Sequence, residues 1–211
     1  MTSSAPGHAG PLGTAFVVSG PSGAGKSTVL RSVLETDPGV RFSISHTTRP
    51  PRAGEVDGRD YHFVDRARFR ELAAAECFLE WAEYQDNLYG TSREAVEGPT
   101  REGLDLILEV EIEGARQLQS RLREAVFVFI MPPSMKVLEQ RLRGRGSDTD
   151  AVISKRLERA GEEIKAIRMY SYVIVNDDVG QARSQLSSVI EATRVQRDRV
   201  LPRFVGHFDF G

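Results

Sequence analysis

Cysteine is nearly absent from the 211-residue chain: Cys77 is its single example. One thiol forms no intrachain disulfide and has no companion for a cysteine metal site, so a reducing cytoplasm is the simplest address. Long apolar runs are also missing. No stretch approaches the roughly 18 consecutive apolar residues that a membrane-spanning helix needs. The opening residues, MTSSAPGHAGPLG, lack the basic start and apolar segment of a signal peptide. Small, polar and rich in Pro and Gly, they read as a flexible N-terminal tail over 1–13. Net positive charge is lacking as well. At −2 the chain has no overall basic field, so neither nucleic acid nor a membrane is an expected partner. Lysine is scarce, with 4 against 24 arginines in the total of 28. Arginine's planar fork suits phosphate, but a compositional bias explains most of these residues, so position must decide.

What is present is ordinary globular composition, 40% hydrophobic and 27% charged, in a length suited to one medium domain. TAFVVS, LDLILEV, AVFVFIM and YVIVN read as buried strands. Helix-period segments lie at about 26–35, 112–123, 134–142, 151–170 and 179–200. Strands separated by such helices predict an α/β fold with a parallel sheet covered on both faces. Residues 42–93 break the rhythm with short aromatic and Thr-rich strands. They read as a small mixed insert at the sheet's C-terminal edge, where open α/β sheets bind ligands.

Gly20-Pro21-Ser22-Gly23-Ala24-Gly25-Lys26-Ser27 matches G-x-x-x-x-G-K-[ST] at every fixed position, between a predicted strand and a predicted helix. Glycines let successive N–H groups converge on phosphate oxygens, and the helix N-terminus adds partial positive charge. Residues 20–28, Thr28 included, are therefore expected to hold the phosphates of a nucleotide. Within them Lys26 neutralises the β- and γ-phosphates and Ser27 ligates Mg²⁺. The motif says nothing about the acceptor.

The acceptor side is narrower. FSISHTTRPPRAGEVDGRDYHFV sets Arg49 and Arg52 three apart across Pro50-Pro51, with Ser45, Tyr61 and further hydroxyls around them. Two guanidinium forks and a phenol make a receptacle for a second phosphate dianion. FLEWAEY brings Glu80, and NLYGTSRE brings Tyr89 and Thr91. Singly, Tyr61 and Tyr89 also read as strand aromatics, Glu80 as a solvated acid and Thr91 as a turn residue.

As a set, with PPS, RLRGRG, KRL and VIVNDD following in order, these motifs resemble the guanylate kinase family from about Thr14 to Arg194. The resemblance implies a P-loop kinase core (14–43, 94–135, 166–200), a GMP-binding subdomain (44–93), a helical lid (136–165) and a C-terminal tail (201–211). It implies transfer of phosphate from ATP to GMP, two small-molecule substrates; no oligomeric state follows. It assigns Arg49, Arg52, Tyr61 and Tyr89 to the GMP phosphate, and Ser45, Glu80, Thr91 and Glu111 to guanine. Arg141, Arg145 and Arg156 would close over the ATP phosphates, Lys26 and Arg49 acting with them, while Asn176 would lie near adenine. The chemistry is consistent: guanine presents N1–H and N2–H₂ side by side, and a carboxylate offers two adjacent acceptors. No general base is needed, because an acceptor phosphate with its second pKa near ~6 is mostly ionised at neutral pH.

The chain departs from the family pattern in LILEVEIEG. Glu111 stands where Asp is usual and Glu113 where Gln is usual, which puts the reach of Glu111 in question. Glu113 is expected to face solvent or pair with an arginine such as Arg116. Glu109 reads as a strand-end acid that orients Lys26 or a metal-bound water. Arg143 and Arg159 read as solvated charges. Two competing readings are a silent guanylate-kinase-like interaction module and a kinase of another small phosphate ester. Retention of Lys26, Ser27 and the lid arginines argues against the first, and Glu80 with Ser45 and Thr91 against the second.

Overall fold

The computed structural model describes residues 12–144, 148–204 and 207–208. The chain runs β1 (Ala15–Ser19), α1 (Lys26–Thr36), β2 (Val40–Phe42), β3 (His46–Thr47), β4 (His62–Phe63) and α2 (Arg66–Ala74). It continues through β5 (Phe78–Tyr84), β6 (Asn87–Ser92), α3 (Arg93–Arg101), β7 (Asp105–Glu109), α4 (Ile112–Arg121) and β8 (Val126–Met131). Then follow α5 (Met135–Arg143), α6 (Asp150–Lys165), β9 (Tyr172–Val175), α7 (Val179–Arg194) and α8 (Arg197–Val200).

Five strands form one sheet in the order β2-β7-β1-β8-β9, every neighbouring pair parallel. The alternation along β1 explains its two covered faces. Phe16 and Val18 turn to a core with Val29, Leu30 and Val33 of α1 and Leu186 and Ile190 of α7. Ala15 and Val17 turn to the opposite core, with Ala115 and Leu118 of α4 and Val96 of α3. Burying each large side chain of this kind contributes about 1.5–3 kcal/mol before entropy is counted. Because the strands are parallel, the segments after β1, β7 and β9 leave the same edge of the sheet, which collects the chemistry there.

The second sheet, β4-β3-β6-β5, is mixed: β3 pairs with β4 in parallel and with β6 antiparallel. Its β5–β6 hairpin turns through Gln85 and Asp86, both at positive φ, as tight hairpins require. Phe69 of α2 packs with Phe78 and Leu88 beneath it. This sheet is fastened to the large one by α4. The Gln117 amide exchanges hydrogen bonds with the Trp81 backbone (3.3 and 2.8 Å), and Arg121 Nη1 donates to the Leu79 carbonyl at 2.6 Å.

Several boundaries differ from the sequence reading. The helix expected over 151–170 ends at Lys165 and tightens into a 3₁₀ turn over Ala166–Met169. The helix expected over 179–200 ends at Arg194, because Gln196 takes a non-helical ψ of 138° before α8 begins. Helix α3 was not among the expected helices, since Gly98-Pro99 interrupts its pattern; Ser92 caps it by accepting from Ala95 N–H. Strand β2 is three residues long and adds itself to the edge beside β7.

Arg194 ties the base of the large sheet together. It donates to Asp105 at 2.7 Å, and pairs with Asp37 at 2.8 Å and Glu191 at 2.7 Å. Asp105 is 5% exposed, and its other oxygen accepts from Thr14 N–H at 2.7 Å. Arg194→Ala strands that buried carboxylate, so urea unfolding is expected to show a loss of about 3 kcal/mol. A loss under 1 kcal/mol contradicts the role given to this cluster.

Candidate active site

The loop between β1 and α1 lines one wall of a cleft of about 590 Å³ that reaches across to the second sheet. Gly20 and Gly25 take φ of +149° and +86°, and space as well as φ excludes a side chain there. A Cβ would lie 1.9 Å from the Ile130 carbonyl oxygen at Gly20, and 2.4 Å from Asn176 Nδ2 at Gly25. No side chain caps α1 and no acid lies in its first turn. Its leading N–H groups and partial positive charge are therefore left for an anion. Ser22, Gly23, Gly25, Lys26, Ser27 and Thr28 line the cleft. Pro21 and Ala24 are buried behind it, where Ala24 N–H donates to the Pro21 carbonyl at 3.0 Å.

Lys26 Nζ donates to the Gly20 carbonyl at 2.6 Å and to Pro21 at 3.3 Å, and lies 3.9 Å from Glu109 Oε1. Glu109, at the end of β7, thus stands beside the lysine, in line with the orienting role considered for it. The Ser27 hydroxyl and the Glu109 carboxylate are hard oxygen donors on the same cleft, a donor set whose chemistry fits Mg²⁺.

The loop is braced from behind by two residues expected in other places. Asn176 is 2% exposed, and its amide donates to the Ala24 carbonyl at 2.7 Å. Arg141 spends its guanidinium on the Ala24 carbonyl (3.3 Å) and the Asn176 carbonyl (2.9 Å). Arg156 pairs with Asp148 at 2.9 Å. None of these three is among the residues lining the cleft. Arg145, with Gly146, falls outside the described residues.

On the opposite wall Arg49 pairs with Glu55 at 2.8 Å, and its guanidinium carbon lies 5.4 Å from the Tyr61 ring centroid. The second Glu55 oxygen accepts from Arg52 N–H at 2.7 Å. Glu55 was not singled out in the sequence, and its place on the Arg49 fork is the signal it carries: an acid occupying a position suited to another anion. The Arg49 hydrogen bond, acting against slight desolvation, holds the Glu55 carboxyl below the usual range. Tyr61 and Tyr89 meet edge to face with centroids 6.1 Å apart. Burial is the main cause that pushes the Tyr61 phenol up to about 12, so it serves as a neutral donor.

Glu80 is 4% exposed on β5 and sits opposite Thr91 of β6. Thr91 donates twice to its Oε1, from the backbone N–H at 3.0 Å and the hydroxyl at 2.6 Å. The Ser45 hydroxyl is 3.4 Å from that of Thr91. Burial raises the Glu80 carboxyl to about 6, with the Thr91 bonds opposing. Glu111 lines the same cleft and is likewise pushed up by burial, against the charge of Lys26. Glu113 faces solvent and pairs with Arg116 at 3.3 Å. Arg143 pairs with Glu139 and Asp150 at the surface, as a solvated charge does. Arg159 departs from that expectation: it stacks 3.9 Å over the Tyr84 ring centroid of β5.

A complete phosphate loop at the C-terminal edge of a parallel sheet, facing an acceptor wall of arginine, tyrosine and buried acid, defines a P-loop phosphotransferase architecture. The family model described as guanylate kinase matches residues 13–193. A guanylate kinase of Geobacter metallireducens is 46% identical over 199 residues, which are 94% of this chain and 98% of the relative. One of Neisseria gonorrhoeae is 46% identical over 189 residues, 90% of this chain and 92% of the relative. The crystal structure of a guanylate kinase from Anaplasma phagocytophilum superposes with a TM-score of 0.76 at 34% identity, covering 90% of each chain. The chain belongs to the guanylate kinase family. The SH3-kinase fragment of tight junction protein 3 shares the fold alone, at a TM-score of 0.51 and 9% identity.

Proposed function

We propose that the protein transfers the terminal phosphate of ATP to GMP, giving ADP and GDP, and accepts dGMP at the same site. The observation that carries this reading is Glu80: a buried carboxylate, fixed by Thr91, in a cleft whose other wall is the phosphate loop. Guanine's N1–H and N2–H₂ meet an ionised carboxylate as donors to acceptors, whereas adenine's N1 sets an acceptor against it. For Glu80 to use both oxygens, the Thr91 hydroxyl turns its hydrogen from Oε1 toward the base. A site of this kind rejects the wrong base by roughly 10⁴-fold.

Arg49, Arg52, Tyr61 and Tyr89 receive the GMP phosphate, which takes the place of Glu55 on the Arg49 fork. The loop N–H groups and Lys26 hold the ATP phosphates. Lys26 and Arg49 approach the transferred group from opposite walls, so catalysis is positioning and charge stabilisation. Arg141, Arg145 and Arg156 belong to the lid segment 136–165, and cations delivered on closure contribute roughly 10³–10⁵ in rate. In this structure Arg141 and Asn176 support the loop's shape, through which they act on ATP. Mg²⁺, when bound through Ser27 with Glu109 nearby, supplies charge neutralisation across the β- and γ-phosphates.

Among the described residues no helix is long and apolar enough to cross a membrane. A cytoplasmic place in purine nucleotide metabolism accords with the lone cysteine and with these two substrates. ADP release with ATP and Mg²⁺, measured against GMP, dGMP, AMP, CMP, UMP and a ribose phosphate, tests the acceptor. Turnover confined to GMP and dGMP is expected; equal turnover of AMP overturns it.

A further inference from the structure

Arg159 sits on α6, yet its side chain reaches the second sheet and the acid that follows β7. Besides stacking over Tyr84 of β5, its Nε donates to Glu163 Oε1 at 2.8 Å, and its Nη2 lies 3.8 Å from Glu111 Oε2. Guanine carries three polar N–H bonds on one edge, one on N1 and two on N2. A single carboxylate accepts N1–H and one N2 hydrogen, which leaves the other N2 hydrogen in need of an acceptor. Glu111 lines the same cleft as Glu80 and supplies one.

We propose that Arg159 is a positioning residue that holds the Glu111 carboxylate where it accepts from the exocyclic amine of the acceptor base, and so sets preference for guanylate over a nucleotide lacking that amine. This rests on the reading of the cleft as the GMP site. Two physical facts support it. First, Arg159 Nη2 lies 3.8 Å from Glu111 Oε2, within ion-pair distance, and so draws the carboxylate toward the Tyr84 side of the cleft. The cations facing it are Lys26 of α1, already bonded to the phosphate loop, and Arg159. Second, the Arg159 guanidinium is fixed before any ligand arrives. Stacking on Tyr84 sets its plane and the Glu163 bond sets its rotation, so little freedom remains to be lost when Glu111 engages a base.

The test is steady-state kinetics with GMP and with inosine monophosphate (IMP), which is guanylate without the amine. Wild type, Arg159→Ala, Arg159→Lys, Glu111→Gln and the Arg159→Ala/Glu111→Gln double variant are compared, with thermal melts to establish that each is folded. Arg159→Ala is expected to lower the GMP-to-IMP ratio of kcat/KM about tenfold, chiefly through KM for GMP. Arg159→Lys, which keeps a cation beside Glu111, restores part of the ratio. In the Glu111→Gln background, Arg159→Ala has no further effect on the ratio. Equal losses on both nucleotides with no rescue by lysine, or additive effects in the double variant, overturn the proposal and leave Arg159 as a packing residue. A wild type that turns over GMP while the ratio survives Arg159→Ala defeats this proposal alone. A wild type inactive on GMP defeats the acceptor reading and this proposal with it.

Discussion

Glu80→Gln is expected to lower kcat/KM for GMP by roughly 10³-fold or more and to erase most of the preference for guanine over other bases. The amide keeps an oxygen for Thr91 but turns an N–H₂ toward guanine's own donors, so two donors face each other in a buried site. The same substitution changes the pH profile. In the free protein burial holds the Glu80 carboxyl at about 6, and on the proposed role it is the ionised form that accepts from guanine. Wild-type kcat/KM for GMP should therefore fall as pH drops through about 6, where the GMP phosphate also takes up its second proton; Glu80→Gln keeps only the phosphate's share, so its fall is shallower. Stability moves in the opposite sense. A carboxyl whose folded pKa lies above its unfolded 4.5 binds more protons in the folded state between the two values. Its contribution is thus most favourable below 4.5 and is lost as pH rises to about 6. At pH 7.5 without nucleotide, Glu80→Gln should melt higher than wild type, by an amount on the order of 1–2 kcal/mol. A variant that keeps base selectivity, or that melts lower at pH 7.5 and higher at pH 4, contradicts the role given to Glu80.

Lys26→Met is the second large effect. The ammonium lies on the loop wall, bonded to the Gly20 carbonyl and next to Glu109. On the proposed role it faces the transferring phosphoryl group, and removing one preorganised donor to developing charge costs roughly 10²–10³ in kcat. The proposed GMP site lies on the opposite wall, so calorimetric titration with GMP alone should give an affinity close to wild type. A kcat within tenfold of wild type, or a parallel loss of GMP binding, counts against this separation of the two walls.

Much of this was legible in the chain because local rules state it locally. The phosphate loop is a contiguous pattern in which strand, glycines, lysine and helix lie in register, and the structure places Lys26, Ser27 and Thr28 in the cleft wall. The parallel sheet follows from apolar runs separated by helical periods. Ser45, Arg49, Arg52, Tyr61, Glu80, Tyr89 and Glu111 come from distant segments, yet all line one cleft, with Thr91 behind Glu80. What the sequence concealed depends on tertiary contact. Nothing in VIVNDD says that the Asn176 amide bonds the Ala24 carbonyl 152 residues earlier. Nothing in LEQRL says that Arg141 shares the same oxygen. Arg159 looked like any exposed helical arginine, since a cation over an aromatic ring leaves no local pattern when the ring is on another element. Glu55 was hidden for a related reason: an acid in a Gly-rich turn reads as a solvated charge until the Arg49 fork is seen to hold it.

Radiolabelled ATP, carrying ³²P on its terminal phosphate, tests the central claim most directly. The protein is incubated with it, Mg²⁺ and GMP, and the products are separated by chromatography. Label appearing in GDP, with ADP formed in equal amount and little free phosphate, is the predicted result. Label released as inorganic phosphate, or left on ATP while both nucleotides bind, contradicts the account.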